Sequence, residues 1–239
     1  MNLDLEPRQH RLVAAVRKST VATPASASAW EVLTADAAPG RPSPGMLDAG
    51  LFDWCLVLEE TGADCRDPSA ALAVRTFLDV YGDSEQAPEV WAGTAPWPEH
   101  LPVSRAADGG ARVWSAERSP VPGLAALPDI TLDSAAARGV ADRDLLARAA
   151  GALGVARSCL ESAQERATGR TVAGRQLIEF QGTAHRLAEA SLELALARVG
   201  LWRAAWREDR GTPAGYLARA AAAAAVTAAL NSAHAAVQT

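Results

Sequence analysis

The second half of the chain is the part of the sequence that most limits the possible folds. From Asp142 to the C-terminus it is almost continuously helix-forming, with breaks only at Gly169, at Gly174 and in the segment 209–215. Much of this half is alanine, which has the highest helix propensity of all residues. The pattern predicts three long helices, roughly at residues 143–167, 177–207 and 214–237. We therefore expect a mainly α fold with a C-terminal helical bundle.

The middle helix of this predicted bundle has the clearest amphipathic pattern. Its apolar residues recur at helical spacing and so form a single stripe, which consists of Leu187, Ala190, Leu194, Ala197 and Leu201. The alanine tract at 218–229 is also expected to be helical, because a flat alanine face lets neighbouring helices pack closely. Both faces are expected to lie against other helices.

The first 87 residues are predicted to form a reduced N-terminal helical region. It is predicted to contain three helices, at residues 3–18, 47–61 and 70–80. Pro68 suits the first turn of the third helix, because a helix needs no backbone N–H there. The segment 23–45 between the first two helices is rich in Pro, Ala, Ser and Gly, a composition typical of a linker.

Residues 88–135 have a different composition and are predicted to form a shortened middle β region. The turn sequence Asp108-Gly109-Gly110 separates two short apolar segments, 101–103 and 111–114. This arrangement predicts a β-hairpin. The third predicted region, the helical bundle, then covers residues 136–239.

Composition and charge exclude several classes of partner. The net charge is -5 and the sequence pI is about 5.4, whereas nucleic acids and anionic membranes require clustered positive charge. No uninterrupted apolar run approaches the length needed to cross a bilayer, and the first residues do not form a secretion signal. The sequence therefore predicts a cytoplasmic protein that binds neither nucleic acid nor membrane.

The cysteines and histidines predict no metal site. Cys55, Cys65 and Cys159 are odd in number and lack the Cys-x-x-Cys spacing of zinc sites. They are expected to be small buried hydrophobic residues. The histidines show no metal-ligand spacing either, and His185 is expected to be a packing residue of the middle helix.

Several short motifs in the last 100 residues occur together in one order. They are the segments 149–157 and 170–181, Leu187-Ala188-Glu189, and Ala197-Arg198. Together they resemble the C-terminal domain of the acyl-CoA dehydrogenase family, with its Arg-x-x-Phe-Gly turn, its Phe-Gln pair, its Leu-Ala-Glu step and its Ala-Arg pair. The segment 56–62 is similar to a Val-Leu-Glu-Glu-Leu-Gly helix in the family's N-terminal domain.

The resemblance implies an FAD site shared between subunits. In this family the flavin lies between the central β-barrel of one subunit and the C-terminal bundle of its neighbour. Arg170 and Gln181 match positions that reach the neighbour's flavin, the arginine toward the pyrophosphate, and Gln238 matches another flavin-contacting position. Arginine suits phosphate because its planar fork binds two oxygens. Alternatively, Arg170 caps the carbonyl groups at the end of the preceding helix.

The resemblance also implies an acyl-binding region around Asp142 and Asp144. The Asp142 position contacts the acyl-CoA chain in the family, and the Asp144 position carries the catalytic glutamate in some branches. A carboxylate abstracts an α-proton only if burial raises its pKa toward neutrality. Alternatively, both residues are simply acidic residues in the first turn of a helix, where the helix dipole favours them. The family's neighbouring arginine is replaced here by Leu145.

The sequence departs from the family pattern where the flavin is normally held. The Thr-Glu-Pro and Trp-Ile-Ser/Thr segments of the barrel are missing, and the middle region is less than half the usual size. Ala173 stands where the family's turn has an aromatic residue. The chain ends at Thr239, where the family continues to a glycine pair and the loop that often carries the catalytic glutamate.

These observations lead to three hypotheses about function. The first is a degenerate acyl-CoA dehydrogenase-like subunit, an oxidoreductase only within a complex, whose full-length partner or second copy supplies FAD, barrel and base for α,β-desaturation of an acyl thioester. The second is a flavin-independent isomerase, lyase or cyclase that uses Asp144 or Asp142 as general base. The third is a non-catalytic structural or binding protein, because a shared fold does not fix function.

Overall fold

The computed structural model describes about two thirds of the chain and shows a mainly helical protein. The described residues are 5–24, 49–66, 68, 71–72, 75, 79, 103–105, 111–113 and 130–239. In chain order, the elements are α1 (Pro7–Ala22), α2 (Leu51–Ala63), β1 (Val103–Arg105), β2 (Ala111–Val113), β3 (Ile130–Leu132), α3 (Ser134–Gly169), β4 (Thr171–Val172), β5 (Arg175–Gln176), a short 3-10 helix (Leu177–Glu179), α4 (Gln181–Asp209) and α5 (Tyr216–Gln238).

The long helices α3, α4 and α5 pack on one another and form the predicted bundle. The prediction of three long helices is confirmed, but α3 begins earlier than the sequence pattern suggested. Its start is fixed by Asp133, whose Oδ1 accepts hydrogen bonds from the backbone N–H groups of Ala135 and Ala136 at 2.8 and 2.7 Å. A side-chain N-cap of this kind satisfies N–H groups that have no partner within the helix.

The predicted apolar stripe of the middle helix forms part of the core. All five of its residues are at most 5% exposed: Leu187, Ala190, Leu194, Ala197 and Leu201. The alanine face of α5 is buried against them through Ala218, Ala221, Ala222, Ala225 and Ala228. Alanine at these positions brings the helix backbones close together, as the sequence predicted.

By length and composition alone, α5 could also cross a membrane. An 18-residue window within Tyr216–Gln238 has a mean hydropathy of 1.3, and 33% of that window is buried. The sequence-based expectation concerned uninterrupted apolar runs, and α5 does not contradict it, because Arg219, Thr227 and Asn231 interrupt the apolar sequence of this helix. The hydropathy arises mainly from alanine, and one face of the helix packs on α3 and α4.

The first two predicted N-terminal helices are confirmed as α1 and α2, each shifted by a few residues. Of the third predicted helix, residues 71–72, 75 and 79 are described and are helical. The Leu72 N–H donates to the Pro68 carbonyl at 2.9 Å, so Pro68 does lie at the start of this helix. The remainder of that helix, and residues 25–45 of the predicted linker, lie outside the described residues.

The predicted hairpin is also present. Strands β1 and β2 pair in antiparallel orientation, with Val103 opposite Val113. The Asp108–Gly110 turn lies outside the described residues. Strand β3 adds a third antiparallel strand beside β2, with Arg112 opposite Thr131, and this strand was not predicted from the sequence. The chain passes directly from β3 into α3.

Helix α2 crosses α3 at very close range because both helices carry glycine at the crossing. A Cβ atom at Gly154 would lie 2.1 Å from the Glu59 carbonyl oxygen, and one at Gly62 would lie 2.3 Å from the Gly151 carbonyl oxygen. Side chains cannot occupy such positions. The approach buries Trp54, whose side chain is 0% exposed, in the layer between α2 and the bundle.

Two adjacent carboxylates of α2 join four helices through ion pairs. Glu59 is 3% exposed and pairs with Arg198 of α4, whose Nε lies 2.7 Å from the Glu59 Oε1. Glu60 accepts paired hydrogen bonds from Arg17 of α1, at 2.7 and 3.0 Å, and from Arg157 of α3, at 2.8 and 3.0 Å. The Glu59–Arg198 pair links the two motifs 56–62 and 197–198 of the family resemblance.

The start of α2 is held by a residue from the end of α4. The carboxylate of Asp209 accepts hydrogen bonds from the Leu51 and Phe52 N–H groups at 2.6 and 2.9 Å. It therefore acts as an N-cap from a distant part of the chain. Gly50 makes room for it, because a Cβ atom there would lie 2.7 Å from an Asp209 carboxylate oxygen.

The glycine crossing predicts a large loss of stability for Gly154→Ala. The added methyl group meets backbone atoms of α2, which cannot move aside as a flexible side chain can, so we expect a loss of about 2 kcal/mol or more in the free energy of unfolding. Gly200→Ala is the matched control. A Cβ atom at Gly200 meets nothing within 4 Å, so that variant should gain about 0.5–1 kcal/mol from helix propensity. Urea denaturation measures the free energy of unfolding of both variants. Equal changes in Gly154→Ala and Gly200→Ala would contradict the close crossing.

The ion pairs of Glu60 predict acid-dependent stability. Burial raises the pKa of Glu60, but Arg157 and Arg17 outweigh it and hold the pKa at about 2, below the ordinary value of 4.5. The stabilisation is therefore complete above pH 4.5, declines as the pH falls toward 2, and is absent below that.

Glu60→Gln should accordingly lose about 2 kcal/mol at pH 7, and its difference from the wild type should vanish toward pH 2. Glu161→Gln is the control, because Glu161 is 63% exposed and its carboxylate lies 4.0 Å from Arg157. That variant should change stability by less than about 0.5 kcal/mol. Denaturation curves at several pH values measure the difference, and a pH-independent loss in Glu60→Gln would contradict the assignment.

Candidate functional site

A tight hairpin closes the bundle at the end where α3 stops and α4 starts. Strands β4 and β5 pair with Thr171 opposite Gln176. Ala173 and Gly174 form the turn with positive φ values of 51° and 78°, as a two-residue turn between antiparallel strands requires. The Leu177 N–H donates to the Arg170 carbonyl at 2.9 Å and ties the hairpin to the base of α3.

Arg170 is the residue that follows α3, and its side chain is exposed. Its backbone N–H donates to the Arg166 carbonyl. In the described part of the chain, its guanidinium makes no hydrogen bond or ion pair, and so it does not cap the helix carbonyls, which was the structural alternative. The nearby Arg175 differs, because it pairs with Glu179 at 3.1 Å and lies over the Phe180 ring.

Gln181 is the first residue of α4, and its side chain is exposed as well. No side chain caps this helix start, and no acidic residue lies in the first turn. The first N–H groups of a helix have no partner within it and carry partial positive charge. Arg170, the Gln181 amide and these N–H groups thus provide hydrogen-bond donors suited to an anion.

The third predicted cofactor residue, Gln238, lies at the same end of the bundle. The side chain of Asn231 donates to Glu193 at 2.6 Å and fixes the antiparallel register of α5 against α4. At a rise of 1.5 Å per residue, this register places Gln238 about 7 Å short of the level of Gln181 along the bundle axis. Gln238 is exposed, and so is His185 nearby, which corrects the expectation that this histidine packs in the core.

Asp142 and Asp144 lie near the other end of the bundle, in the third turn of α3. Because α3 begins at Ser134, neither residue is in the first turn, and the capping explanation for them is wrong. Asp142 is 8% exposed and pairs with Arg219 of α5 at 3.4 Å. Asp144 pairs with Arg148 of its own helix at 2.8 Å.

The same end holds a partly buried group of charged residues that the sequence did not reveal. Asp79 pairs at 2.9 Å with both Arg75 and Arg143, and Arg143 lies 3.4 Å from Glu208. Burial raises the pKa of Asp79, and the two arginines partly offset that effect. Glu208 also accepts a hydrogen bond from the Ala214 N–H at 2.5 Å. These residues come from distant segments without a shared motif, so no spacing signal could have predicted the group.

The two predicted sites are far apart within one chain. Arg170 is 28 residues beyond Asp142 along the single helix α3 and its C-cap, which corresponds to about 42 Å at 1.5 Å per residue. One chain therefore cannot bring Arg170 and Asp142 to the same small reacting group. The arrangement divides the chain into an Arg170 end and an Asp142 end.

The expectation of three buried cysteines is correct for one of them. Cys55 is buried, Cys65 is exposed and Cys159 is partly exposed. Among the residues that the structure describes, no group of three or more His, Cys, Asp or Glu side chains could hold a metal ion.

Comparison with known families and structures identifies the bundle. Residues 140–239 match the family model of the acyl-CoA dehydrogenase, C-terminal domain. This segment has the sequence pattern of an acyl-CoA dehydrogenase C-terminal domain. The family resemblance inferred from the motifs is thereby confirmed, and so is the expected mainly α fold.

Solved structures share the fold of this acyl-CoA dehydrogenase-like chain over nearly its whole length. A variant of the Tcur3481-Tcur3483 steroid ACAD is 21% identical with a TM-score of 0.76, covering 97% of this chain and 86% of that one. The ChsE4-ChsE5 complex from Mycobacterium tuberculosis matches at 17% identity and TM-score 0.73, covering 100% and 87%. Butyryl-CoA dehydrogenase from Megasphaera elsdenii matches at 14% identity and TM-score 0.66, covering 100% and 88%.

The predicted site residues all lie within the segment that matches the acyl-CoA dehydrogenase C-terminal domain. The structure brings Arg170, Gln181 and Gln238 to one end of the bundle and places Asp142 and Asp144 toward the other. Their roles in binding and catalysis remain predictions.

Proposed function

We propose that this chain is an acyl-CoA dehydrogenase-like subunit that acts with a full-length partner and offers its Arg170 end to a flavin held by that partner. The complex removes hydrogen from the α and β carbons of an acyl thioester. One observation carries the proposal: Arg170 is exposed, has no partner among the described residues, and lies beside the uncapped start of α4. Structural arginines of this chain, such as Arg157 and Arg198, are instead paired with buried carboxylates.

The donors at this end fit the pyrophosphate of FAD. A guanidinium binds two phosphate oxygens at once and keeps its charge, and a free helix start adds N–H groups that favour anions. Bound FAD would supply the electron acceptor for the desaturation. Arg170, Gln181 and Gln238 would hold and orient it, and one structure of this fold is described as PigA with FAD and proline, at TM-score 0.69.

The distance between the two ends supports a partner in the reaction. Asp142 and Asp144 lie about 40 Å from Arg170 along α3, so a flavin bound at the Arg170 end would be remote from this chain's own carboxylates. The partner therefore supplies the barrel, the base and the acyl site next to that flavin. Asp144 and Asp142 belong to the chain's other end and are not needed for chemistry at this flavin.

An exposed apolar face offers a surface for such a partner. On α4, Leu192 and Leu196 are 61% and 64% exposed, and on α5, Val226 and Leu230 are 51% and 56% exposed. The leucines are one turn apart on their helix, as Val226 and Leu230 are on theirs, so each pair forms a stripe. Exposed stripes of this kind mark protein interaction surfaces. A chain of this fold also occurs in the ChsE4-ChsE5 complex from Mycobacterium tuberculosis. We place the complex in the cytoplasm.

Co-expression with a full-length acyl-CoA dehydrogenase homologue tests the proposal. We expect a yellow complex of the two chains whose dye-linked dehydrogenase activity depends on Arg170. Arg170→Ala removes a charge-assisted contact to phosphate, worth about 1.5–3 kcal/mol, so flavin retention should weaken by roughly 10- to 100-fold. The melting temperature of the isolated chain should stay unchanged, because the Arg170 side chain makes no hydrogen bond or ion pair with any residue that the structure describes.

Arg175→Ala is the matched control, since Arg175 lies in the same hairpin but is already paired with Glu179. It should leave flavin retention in the complex close to that of the unaltered protein. The proposal would be contradicted if Arg170→Ala and Arg175→Ala weakened flavin retention equally, or if Arg170→Ala left flavin retention unchanged. If the chain forms the flavin complex with a second copy of itself, that copy takes the role of the full-length partner. Activity of the isolated, flavin-free chain that Asp144→Asn abolishes would support the flavin-independent enzyme instead.

A further inference from the structure

The first two helices of the chain carry opposite charge. Helix α1 contains four Lys or Arg residues and no Asp or Glu, whereas α2 contains three carboxylates and no Lys or Arg. Among the elements that the structure describes, α1 packs mainly on α2. The contact between them therefore joins a basic helix to an acidic one.

Polar contacts hold α1 on α2 along its whole length. In the first turn of α1, Arg8 lies 3.3 Å from the Asp53 carboxylate. Further along, Arg17 donates two hydrogen bonds to the Glu60 carboxylate, at 2.7 and 3.0 Å. The guanidinium of Arg66, which follows α2, donates to backbone carbonyl groups at the end of α1. The two helices therefore run in the same direction, and α1 is fixed from its first turn to its last.

Apolar burial contributes little to this attachment. Of the buried residues of α1, one is apolar, Val16, and the other two are Ser19 and Thr20. Leu12 is partly buried against the core. Most residues of α2, by contrast, are buried. Because apolar burial is the dominant favourable contribution to folding, α2 is an integral part of the core, whereas α1 depends mainly on its polar contacts.

The ion pair between Arg17 and Glu60 can open without leaving the Glu60 carboxylate unpaired. The Arg17 side chain is 62% exposed, so dissolved ions reach this pair and screen it. Glu60 also binds Arg157 of α3, which is more deeply buried, and it keeps this partner when α1 leaves. A buried carboxylate that lost its last partner would strongly oppose opening. Glu60 does not impose that penalty on α1.

We propose that α1 is a strap held on α2 by charge, and that it detaches as a unit when the ionic strength rises while α2 and the bundle stay folded. A free helix of this length is only marginally stable in water, so the detached strap also loses its helical hydrogen bonds. Detachment uncovers Asp53 and Glu60, which lie two turns apart on α2. Ionic strength thus sets how much of this acidic face of α2 is covered.

Hydrogen–deuterium exchange of the purified whole chain, measured by mass spectrometry of its peptides, tests the strap. Backbone amide groups exchange when local opening frees them from their hydrogen bonds. Raising KCl from about 0.05 M to about 0.5 M screens the exposed ion pairs. We therefore expect exchange within α1 to become roughly 3- to 10-fold faster, while exchange within α3, α4 and α5 stays within about twofold of its low-salt rate.

Arg17→Met and Arg11→Met are a matched pair of variants, because each removes one positive charge from α1. Arg11 is exposed and makes no hydrogen bond or ion pair with a residue that the structure describes. At low salt, Arg17→Met should accelerate exchange within α1 roughly 5- to 20-fold, since it removes a charged hydrogen-bonded pair. It should also reduce the salt dependence of that exchange. Arg11→Met should leave exchange within about twofold of the unaltered chain.

The proposal is overturned if α1 exchanges as slowly as the bundle helices at both salt concentrations, because α1 would then unfold only together with them. It is also overturned if salt accelerates exchange equally in all helices, if α1 is unprotected already at low salt, or if Arg17→Met and Arg11→Met behave alike. The test uses no flavin and no partner protein, so its outcome is independent of the proposed dehydrogenase function.

Discussion

The close crossing of α2 over α3 is the constraint on which the rest of the described structure depends. Gly62 and Gly154 let the two backbones touch, and this contact places Glu59 and Glu60 where they reach Arg198, Arg157 and Arg17. A buried carboxylate without such partners would lower the free energy of unfolding. Packing and charge therefore reinforce each other at one place, and they join the N-terminal helices to the three-helix bundle.

The rigidity of the long bundle helices decides what the chain can do chemically. Because α3 is a single helix from Ser134 to Gly169, it holds the Arg170 end and the Asp142 end about 40 Å apart. Arg170, which has no partner in the described ranges, lies at one end, and the ion-paired Asp142 and Asp144 lie toward the other. They cannot act on one small substrate within one chain. A two-chain arrangement uses both the exposed donors and the exposed apolar stripes of α4 and α5.

The sequence predicted local and periodic features well and long-range contacts poorly. The stripe from Leu187 to Leu201 and the alanine face of α5 follow from spacing alone, and both are buried. The first turn of α3 was misplaced because its cap, Asp133, precedes a segment without apolar periodicity. The capping of α2 by Asp209 and the pairing of Asp79 with Arg143 depend on residues far apart in sequence, which no local pattern encodes. The family motif predicted Arg170 as a site residue, whereas only the structure shows that its side chain has no partner in the part of the chain that is described.

The visible absorption spectrum of the chain purified on its own tests the central claim most directly. If the Arg170 end serves a flavin that another subunit holds, the isolated protein should carry far less than one FAD per chain, and FAD added without the partner should be lost on gel filtration. A stoichiometric flavin band that survives gel filtration would contradict the account, because it would show that this chain alone contains a complete flavin site.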